Sequence, residues 1–385
     1  MTIKLEKCDN MKKIILIPDS FKGTVTAAEF CRISAEILQK YFPDTQILSF
    51  PLADGGEGTT DTFLQLDGYK KVTAVVKNAF MEDIDDYYAV KGDTAVIEMA
   101  MCASLPSAKG RENPATTTTY GVGQLIEHAV KNGAGKIILG LGGSCTNDAG
   151  TGMAAALGVE FFDAEGNSFI PVGETLDKIS FYRTDKAHRL LKNVEIIAMC
   201  DIDNPLYGKN GAAYIFAPQK GANAVMVEQL DSKLKYIAEL TERQTGKDYY
   251  TAKGAGAAGG MGFGVCSFLG GTLKPGVNLI LDTIGFEKHL SDTDLIITGE
   301  GRLDSQSLSG KAVIGISRIA QQYSVPVIAV VGSIADDIAD VYSQGVTAVF
   351  TTNTQPVPFE IAALNAHSNL AVVIDNIARL LYRFT

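Results

Sequence analysis

KIILIPDSFKGTVTAAEFCRISAEILQKYFPDTQILSF, residues 13–50, decides the fold class of this chain. Lys13 to Pro18 is an apolar run that ends in a polar loop, PDSFKGT. Thr26 to Tyr41 follows with apolar residues at helical spacing, and Thr24 or Thr26 is available as its N-cap. Gln46 to Phe50 is a second strand. It ends in a second loop, LADGGEG, and a second helix is expected over Thr59 to Leu66. A third strand is expected at Lys71 to Val76. Repetition of strand, loop and helix is the mark of a parallel α/β sheet.

The last third of the chain has the same grammar. Leu295 to Thr298 reads as a strand, Gly299 to Gly310 as a polar loop, Lys311 to Tyr323 as a helix and Val325 to Val331 as a strand. A strand at Ala348 to Thr351 and one long helix from Pro358 to Tyr382 complete it. The two ends therefore read as halves of one doubly wound sheet. The middle differs: Tyr87 to Lys91 and Thr94 to Met99 form a hairpin about Gly92-Asp93. The expectation is an α/β domain made of residues 11–77 and 283–385, interrupted by an inserted domain of residues 78–282. Met1 to Asn10 read as an extension before the first strand. GAGAAGGMGFG, residues 254–264, is either a linker or a loop that lets backbone approach a ligand.

Composition sets the class. The chain has 385 residues, 46% of them hydrophobic and 20% charged, which suits a two-domain globular protein. No apolar run approaches the ~20 residues of a membrane helix, and no signal-peptide core opens the chain. A net charge of −10 argues against nucleic acid. The six cysteines, Cys8, Cys31, Cys102, Cys145, Cys200 and Cys266, are scattered without metal-site spacing. They read as reduced thiols of a cytoplasmic protein.

In open α/β sheets, ligands gather at the carboxyl ends of strands, where helix N-termini favour anions. Three loops are expected on such a rim. PDSFKGT offers Asp19, Ser20 and Lys22. LADGGEG offers Asp54, Gly55, Gly56 and Glu57. TGEGRLDSQSLSGK offers Glu300, Arg302, Asp304, Ser309 and Lys311. Taken singly, each has only ordinary loop composition; three alike at one sheet end point to a site. In the middle domain, the strand Lys136 to Leu141 leads into GGSCTNDAGTGM and a helix over Ala149 to Leu157. Gly142, Gly143 and Ser144 are candidates to cradle phosphate, with Thr146, Asn147 and Asp148 beside them. Asp201, Asp203 and Asn204 follow the strand Val194 to Met199. Ser309-Gly310-Lys311 fails the P-loop pattern, because Ala312 stands where a hydroxyl would bind Mg²⁺. Gly254, Gly256 and Gly259 have dinucleotide spacing without the preceding strand that the fingerprint needs.

In order, IPDSFKGT (17–24), PLADGGEGT (51–59), NPATTTTYGVGQLI (113–126), LGLGGSCTNDAGTGM (139–153), CDIDNPLYGKNGAA (200–213), PQKGA (218–222), GAGAAGGMGFG (254–264) and TGEGRLDSQSLSGKA (298–312) resemble the bacterial type I glycerate kinase family. Cys145 stands where that family usually has Ala, and Ala149 where it usually has Gly; the second swap matters only if that position needs positive φ. The resemblance implies phosphoryl transfer from ATP to glycerate with Mg²⁺, giving 2-phosphoglycerate. It implies a flavodoxin-like doubly wound domain interrupted by a restriction-endonuclease-like α/β domain. A 3-phosphoglycerate-forming kinase and a nucleotide-binding oxidoreductase are the alternatives. The partner expected is the small molecule glycerate, with no nucleic acid or membrane, and a homo-oligomer stays open.

Roles are assigned from the residues. Asp19 or Asp201 takes the proton of the acceptor hydroxyl, with Lys22 also in the catalytic group. Asp148 is the expected Mg²⁺ ligand, with Asp54 and Glu300 as further candidates. Lys22, Arg302 and Lys311 face phosphate or carboxylate, and Arg302 suits a bidentate carboxylate contact. Ser20, Gly55, Gly56, Gly142, Gly143, Ser144, Thr146, Asn147, Asn204, Gly256 and Asp304 complete the expected binding set.

Overall fold

The computed structural model describes residues 11–384, apart from residues 22, 53, 54, 57, 305–311, 336, 337 and 356. The N-terminal extension and the candidates Lys22, Asp54, Glu57, Ser309 and Lys311 therefore lie outside the described residues. Along the chain the strands are β1 (Lys13–Leu16), β2 (Gln46–Ser49), β3 (Lys70–Lys77), β4 (Asp83–Lys91), β5 (Thr94–Glu98), β6 (Lys136–Gly140) and β7 (Glu160–Phe162). They continue with β8 (Ser168–Phe169), β9 (Phe181–Arg183), β10 (Glu195–Met199), β11 (Thr272–Lys274), β12 (Leu295–Leu303), β13 (Val327–Ile334) and β14 (Ala348–Thr351). Two compact units divide the chain: Met1–Ala53 with Val277–Thr385, and Asp54–Gly276.

The first unit holds the parallel sheet β14-β13-β12-β1-β2. Counted within the unit, that order is 2-1-3-4-5, the flavodoxin-like arrangement. All four residues of β1 are buried, as a central parallel strand covered on both faces must be. Ile14, Leu16, Phe30, Leu38, Leu370 and Ile374 form the core on one side, and Val313, Ile314, Ala329, Val331 and Val341 on the other. The helix Ala27–Tyr41 starts where its chemistry allows. Thr26 Oγ1 accepts from the Glu29 N–H, and the Glu29 carboxylate accepts from the Thr26 N–H, a complete capping box. The long C-terminal helix expected from the sequence is instead two helices, Phe359–Leu364 and Ala366–Phe384. Asn365 separates them at ψ 9. Its side-chain amide donates to the Ile361 carbonyl at 3.3 Å, a local bond that competes with the helix.

The second unit holds the sheet β11-β10-β6-β5-β4-β3 and a small sheet, β8-β7-β9. β5, β6, β10 and β11 run parallel, while β4 is antiparallel to both β3 and β5. The hairpin about Gly92 forms as expected, with Gly92 at φ 60. The strand expected as the third of the outer domain, β3, is the edge of this other sheet. The units part after residues 53 and 276, not after 77 and 282. An antiparallel partner needs only a short turn, and β3 finds one at once in β4. Residues 254–264 are no linker: Gly254, Ala255 and Gly256 are buried, and the helix Ala257–Phe268 passes through left-handed φ/ψ at Ala258, Gly259 and Gly260. Among the described residues, no helix is long and apolar enough to cross a membrane.

Candidate active site

In the second unit, the carboxyl ends of β5, β6 and β10 share one edge of the sheet, since their registers align Glu98 with Gly140 and Gly140 with Met199. Glycine-rich segments meet there backbone to backbone. The Gly142 N–H donates to the Gly55 carbonyl at 2.8 Å. A Cβ on Gly142 would stand 2.4 Å from Gly56 Cα, and one on Gly140 would stand 2.5 Å from the Gly55 oxygen. Gly55 itself sits at φ +80, with Met199 Cβ 2.9 Å from where its own Cβ would be. No side chain fits at these contacts, so the glycines here answer first to packing.

Glu98, at the end of β5 and 1% exposed, fastens this assembly. Its two carboxylate oxygens accept from the N–H groups of Gly58 (3.0 Å) and Thr60 (3.1 Å), where the helix Thr59–Leu64 begins. Glu98→Gln leaves one acceptor for two donors, the buried Thr60 N–H and the half-buried Gly58 N–H. We expect a loss of ~1–3 kcal/mol, read as a lower midpoint in urea, because one N–H is stranded. An unchanged midpoint would show that the loop does not depend on this carboxylate.

The loop after β6 is held from three sides. Leu105 N–H donates to the Gly143 carbonyl, Cys145 N–H to the Ala103 carbonyl, and Thr117 Oγ1 to the Cys145 carbonyl, at 2.8, 2.9 and 3.0 Å. From below, the Lys220 ammonium donates to Ser144 Oγ at 2.7 Å and to the Thr146 carbonyl at 2.8 Å. Gly143 is exposed at the top of the loop, whereas Ser144, Thr146, Asn147 and Asp148 are buried. Thr146 Oγ1 and both amide atoms of Asn147 are buried and meet no hydrogen-bond partner in the described structure.

Asp148 is used differently from the metal ligand expected of it. It is 0% exposed. Its carboxylate accepts from Thr119 N–H and Thr119 Oγ1, both at 2.8 Å, and from the N–H groups of Gly150 (3.1 Å) and Gly152 (3.3 Å). Burial pushes its carboxyl above the usual range, and the Thr119, Gly150 and Gly152 donors oppose that without cancelling it. Among the described residues, no group of three or more His, Cys, Asp or Glu side chains could hold a metal ion. Ala149 takes φ 55, the left-handed region in which its methyl group costs ~1–2 kcal/mol. The Ala-for-Gly swap noted in the sequence therefore falls on a position that glycine would suit better.

After β10, Asp201 is exposed, and its Oδ1 accepts from the Gly276 N–H at 3.0 Å. Asp203 pairs with Lys253 in solvent at 3.1 Å. Asn204 is tied inward: its amide donates to the Asn210 carbonyl (2.8 Å), and its own carbonyl accepts from the Gly256 N–H (3.0 Å). The dinucleotide-like glycines face protein. Cβ atoms on Gly254, Gly256 and Gly259 would meet Cys200 Sγ, the Pro205 oxygen and the Thr146 oxygen at 2.5, 2.3 and 2.0 Å. That spacing serves close packing, and no cofactor phosphate has room there.

In the first unit, Asp19 and Ser20 follow β1, and Glu300 and Arg302 lie in the second half of β12, which runs on to Leu303, into the start of the stretch expected to be loop. The Asp19 N–H donates to the Gly299 carbonyl at 2.8 Å, and Asp19 Oδ1 accepts from the Ser20 N–H at 2.7 Å. Glu300 is 5% exposed, and Arg302 stands 3.5 Å from the Asp304 carboxylate. The structure thus gathers two groups, each within its own unit. One holds Asp19, Ser20 and Glu300. The other joins Gly55 and Gly56 with residues 142–148, and residues 201–204 with Gly256. Sequence reasoning missed Glu98, Thr119 and Lys220. Lys220 sits inside PQKGA, but local composition gives no sign that its side chain is buried.

The model of the family described as "Glycerate kinase family" matches residues 14–382. A Bacillus cereus protein named glycerate kinase is 40% identical over 95% of this chain and 97% of its own length. An Escherichia coli protein named glycerate 2-kinase is 39% identical over 96% of this chain and 98% of its own. A crystal structure assigned to glycerate kinase 2 of Salmonella typhimurium LT2 superposes with a TM-score of 0.83 at 37% identity, covering 97% of this chain and 98% of that one.

Proposed function

The chain belongs to the glycerate kinase family, and from that premise we propose that it moves the γ-phosphoryl group of ATP to the C2 hydroxyl of glycerate, giving 2-phosphoglycerate and ADP. The carrying observation is the strand-end assembly in which Gly55 and Gly56 lie against Gly140 and Gly142, with a buried ammonium under the loop that follows. Such an assembly presents backbone rather than side chains to an anion, over a fixed positive charge. The name of the Escherichia coli relative supports the 2-position.

Phosphoryl transfer needs position and charge neutralisation more than covalent help. Gly142, Gly143 and Ser144 are proposed to meet phosphate oxygens. Asp201, exposed at the end of β10, or Asp19, at the end of β1, is proposed to take the proton of the attacking hydroxyl. As the new P–O bond forms, the bond to ADP breaks, and the proton leaves through that carboxylate to solvent. Glu300 and Arg302 are proposed to orient the small acid. Mg²⁺, bound with the ATP phosphates, would neutralise their charge. Asp148 does not fit it, because four donors already fill that carboxylate. A cytoplasmic setting belongs to the same proposal, supported by the free thiols of Cys31, Cys102, Cys145, Cys200 and Cys266.

The expected result is ADP release that requires glycerate, followed by phosphorus NMR of the product. Phosphate on C2 couples to one carbon-bound proton and gives a doublet. Phosphate on C3 couples to two and gives a triplet, which would refute the regiochemistry. ADP release indifferent to glycerate would refute the acceptor.

A further inference from the structure

Lys220 is the least expected side chain in the molecule. Lysines are almost never fully buried unless paired with an acid, yet this one is 2% exposed and its two hydrogen-bond partners are neutral, Ser144 Oγ and the Thr146 carbonyl. It projects from a short turn, Pro218–Lys220, that closes on Gly221 at φ 97. Gly221 packs so tightly that a Cβ there would meet the Glu112 carbonyl oxygen at 2.8 Å. The turn is thus pinned at its base, and its lysine reaches up under the loop whose apex, Gly143, is exposed.

We infer that Lys220 is a positioning residue for the anionic substrate: it shapes the 142–148 loop from beneath and supplies the fixed positive charge that draws a phosphate or carboxylate onto that loop. The inference rests on the proposed kinase reading of this loop. Both hydrogen bonds survive loss of the proton, because a neutral amine still donates; the charge does not. Tether and charge are therefore separable by pH.

Burial pushes the Lys220 ammonium down to about 8, against the smaller opposing influence of Cys145 and Asp148. The groups that face it change little between pH 7 and 9.5. Burial pushes the Cys145 thiol up to about 11. Asp148 is a carboxyl raised by burial, held by its four donors. Glu112, beside Gly221, is lowered by its own N–H and that of Gly110. The sign for stability is opposite to the sign for binding. Above pH 8 the unfolded chain holds the lysine proton more tightly than the folded one, so this group makes the fold more stable as pH rises toward ~10.4. Anion binding through it weakens over the same window.

The test measures KM for ATP and for glycerate, kcat, and the thermal midpoint of the wild-type enzyme from pH 7 to 9.5, beside Lys220→Met. One substrate's KM is expected to rise above pH 8, by up to ~tenfold per pH unit if only the charged form binds, without a matching fall in the midpoint. Lys220→Met should start with a raised KM at pH 7 and show a flat profile, with kcat affected less than KM. Constant KM values for both substrates in the wild type would overturn the inference, as would a folded Lys220→Met with wild-type KM. If Lys220→Met does not fold, the wild-type profile decides alone. Failure of the kinase reading is distinct: no glycerate-dependent turnover at any pH.

Discussion

Of Asp201→Asn and Asp19→Asn, the one that removes the proton acceptor is expected to lower turnover at least ~10²-fold, the low end for a residue that transfers a proton. The exchange removes the negative charge and the basicity while keeping an acceptor oxygen. Asn keeps an oxygen in place of Asp201 Oδ1, so the Gly276 N–H retains its acceptor and the start of the helix Gly276–Ile284 is preserved. At Asp19, the Ser20 N–H likewise keeps an acceptor. A fall in kcat with KM held would mark an interaction made in the transition state. Thermal midpoints of both variants should stay close to the parent. If both are folded and turn over at the wild-type rate, neither carboxylate is the proton acceptor. If only one is impaired, it is the base, and the other serves binding or structure.

Asp148→Ala is expected to cost ~3–5 kcal/mol, the largest stability loss among the changes considered. The carboxylate is fully buried and satisfies Thr119 twice, together with the backbone of Gly150 and Gly152. Truncation strands three backbone N–H groups at the point where the Thr119 turn, the Gly150 turn and the helix Thr151–Ala156 converge. Each stranded buried donor costs ~1–3 kcal/mol, partly recovered where water enters. Asp148→Asn should fall between, since one amide oxygen cannot serve donors on both sides. Chemical denaturation of the three proteins checks this. A midpoint for Asp148→Ala equal to the parent's would show that the carboxylate is not organising the loop, and would reopen a role as ligand.

The alternation of strand, loop and helix in the first unit was legible because its signals are local, whereas its flavodoxin-like strand order was expected only through the family resemblance. KIIL followed by PDSFKGT, and Thr26 with Glu29 three residues on, specify strand, turn and helix start within a few residues of each other. The rims that carry Asp19 and Asp201 follow from that grammar. The register of the Gly92 hairpin was legible for the same reason. The two-helix break at Asn365 was not, because an apolar helical period runs through it and only the side-chain bond to Ile361 marks the interruption.

What the sequence determined by itself is the class of the molecule: two α/β units, glycine loops at strand ends, and, through ordered motifs, membership of its family. What only the tertiary structure decided is the use of particular residues. LADGGEG belongs with residues far along the chain, since Gly55 rests on Gly140 and Met199. Asp148 turns inward to hold backbone, Glu98 holds a loop forty residues before it, and Lys220 loses its water beneath Ser144. The physical reason is one of range. Periodicity and capping act over a turn or two of chain, whereas desolvation depends on everything packed around a group, and no local pattern of residues encodes that.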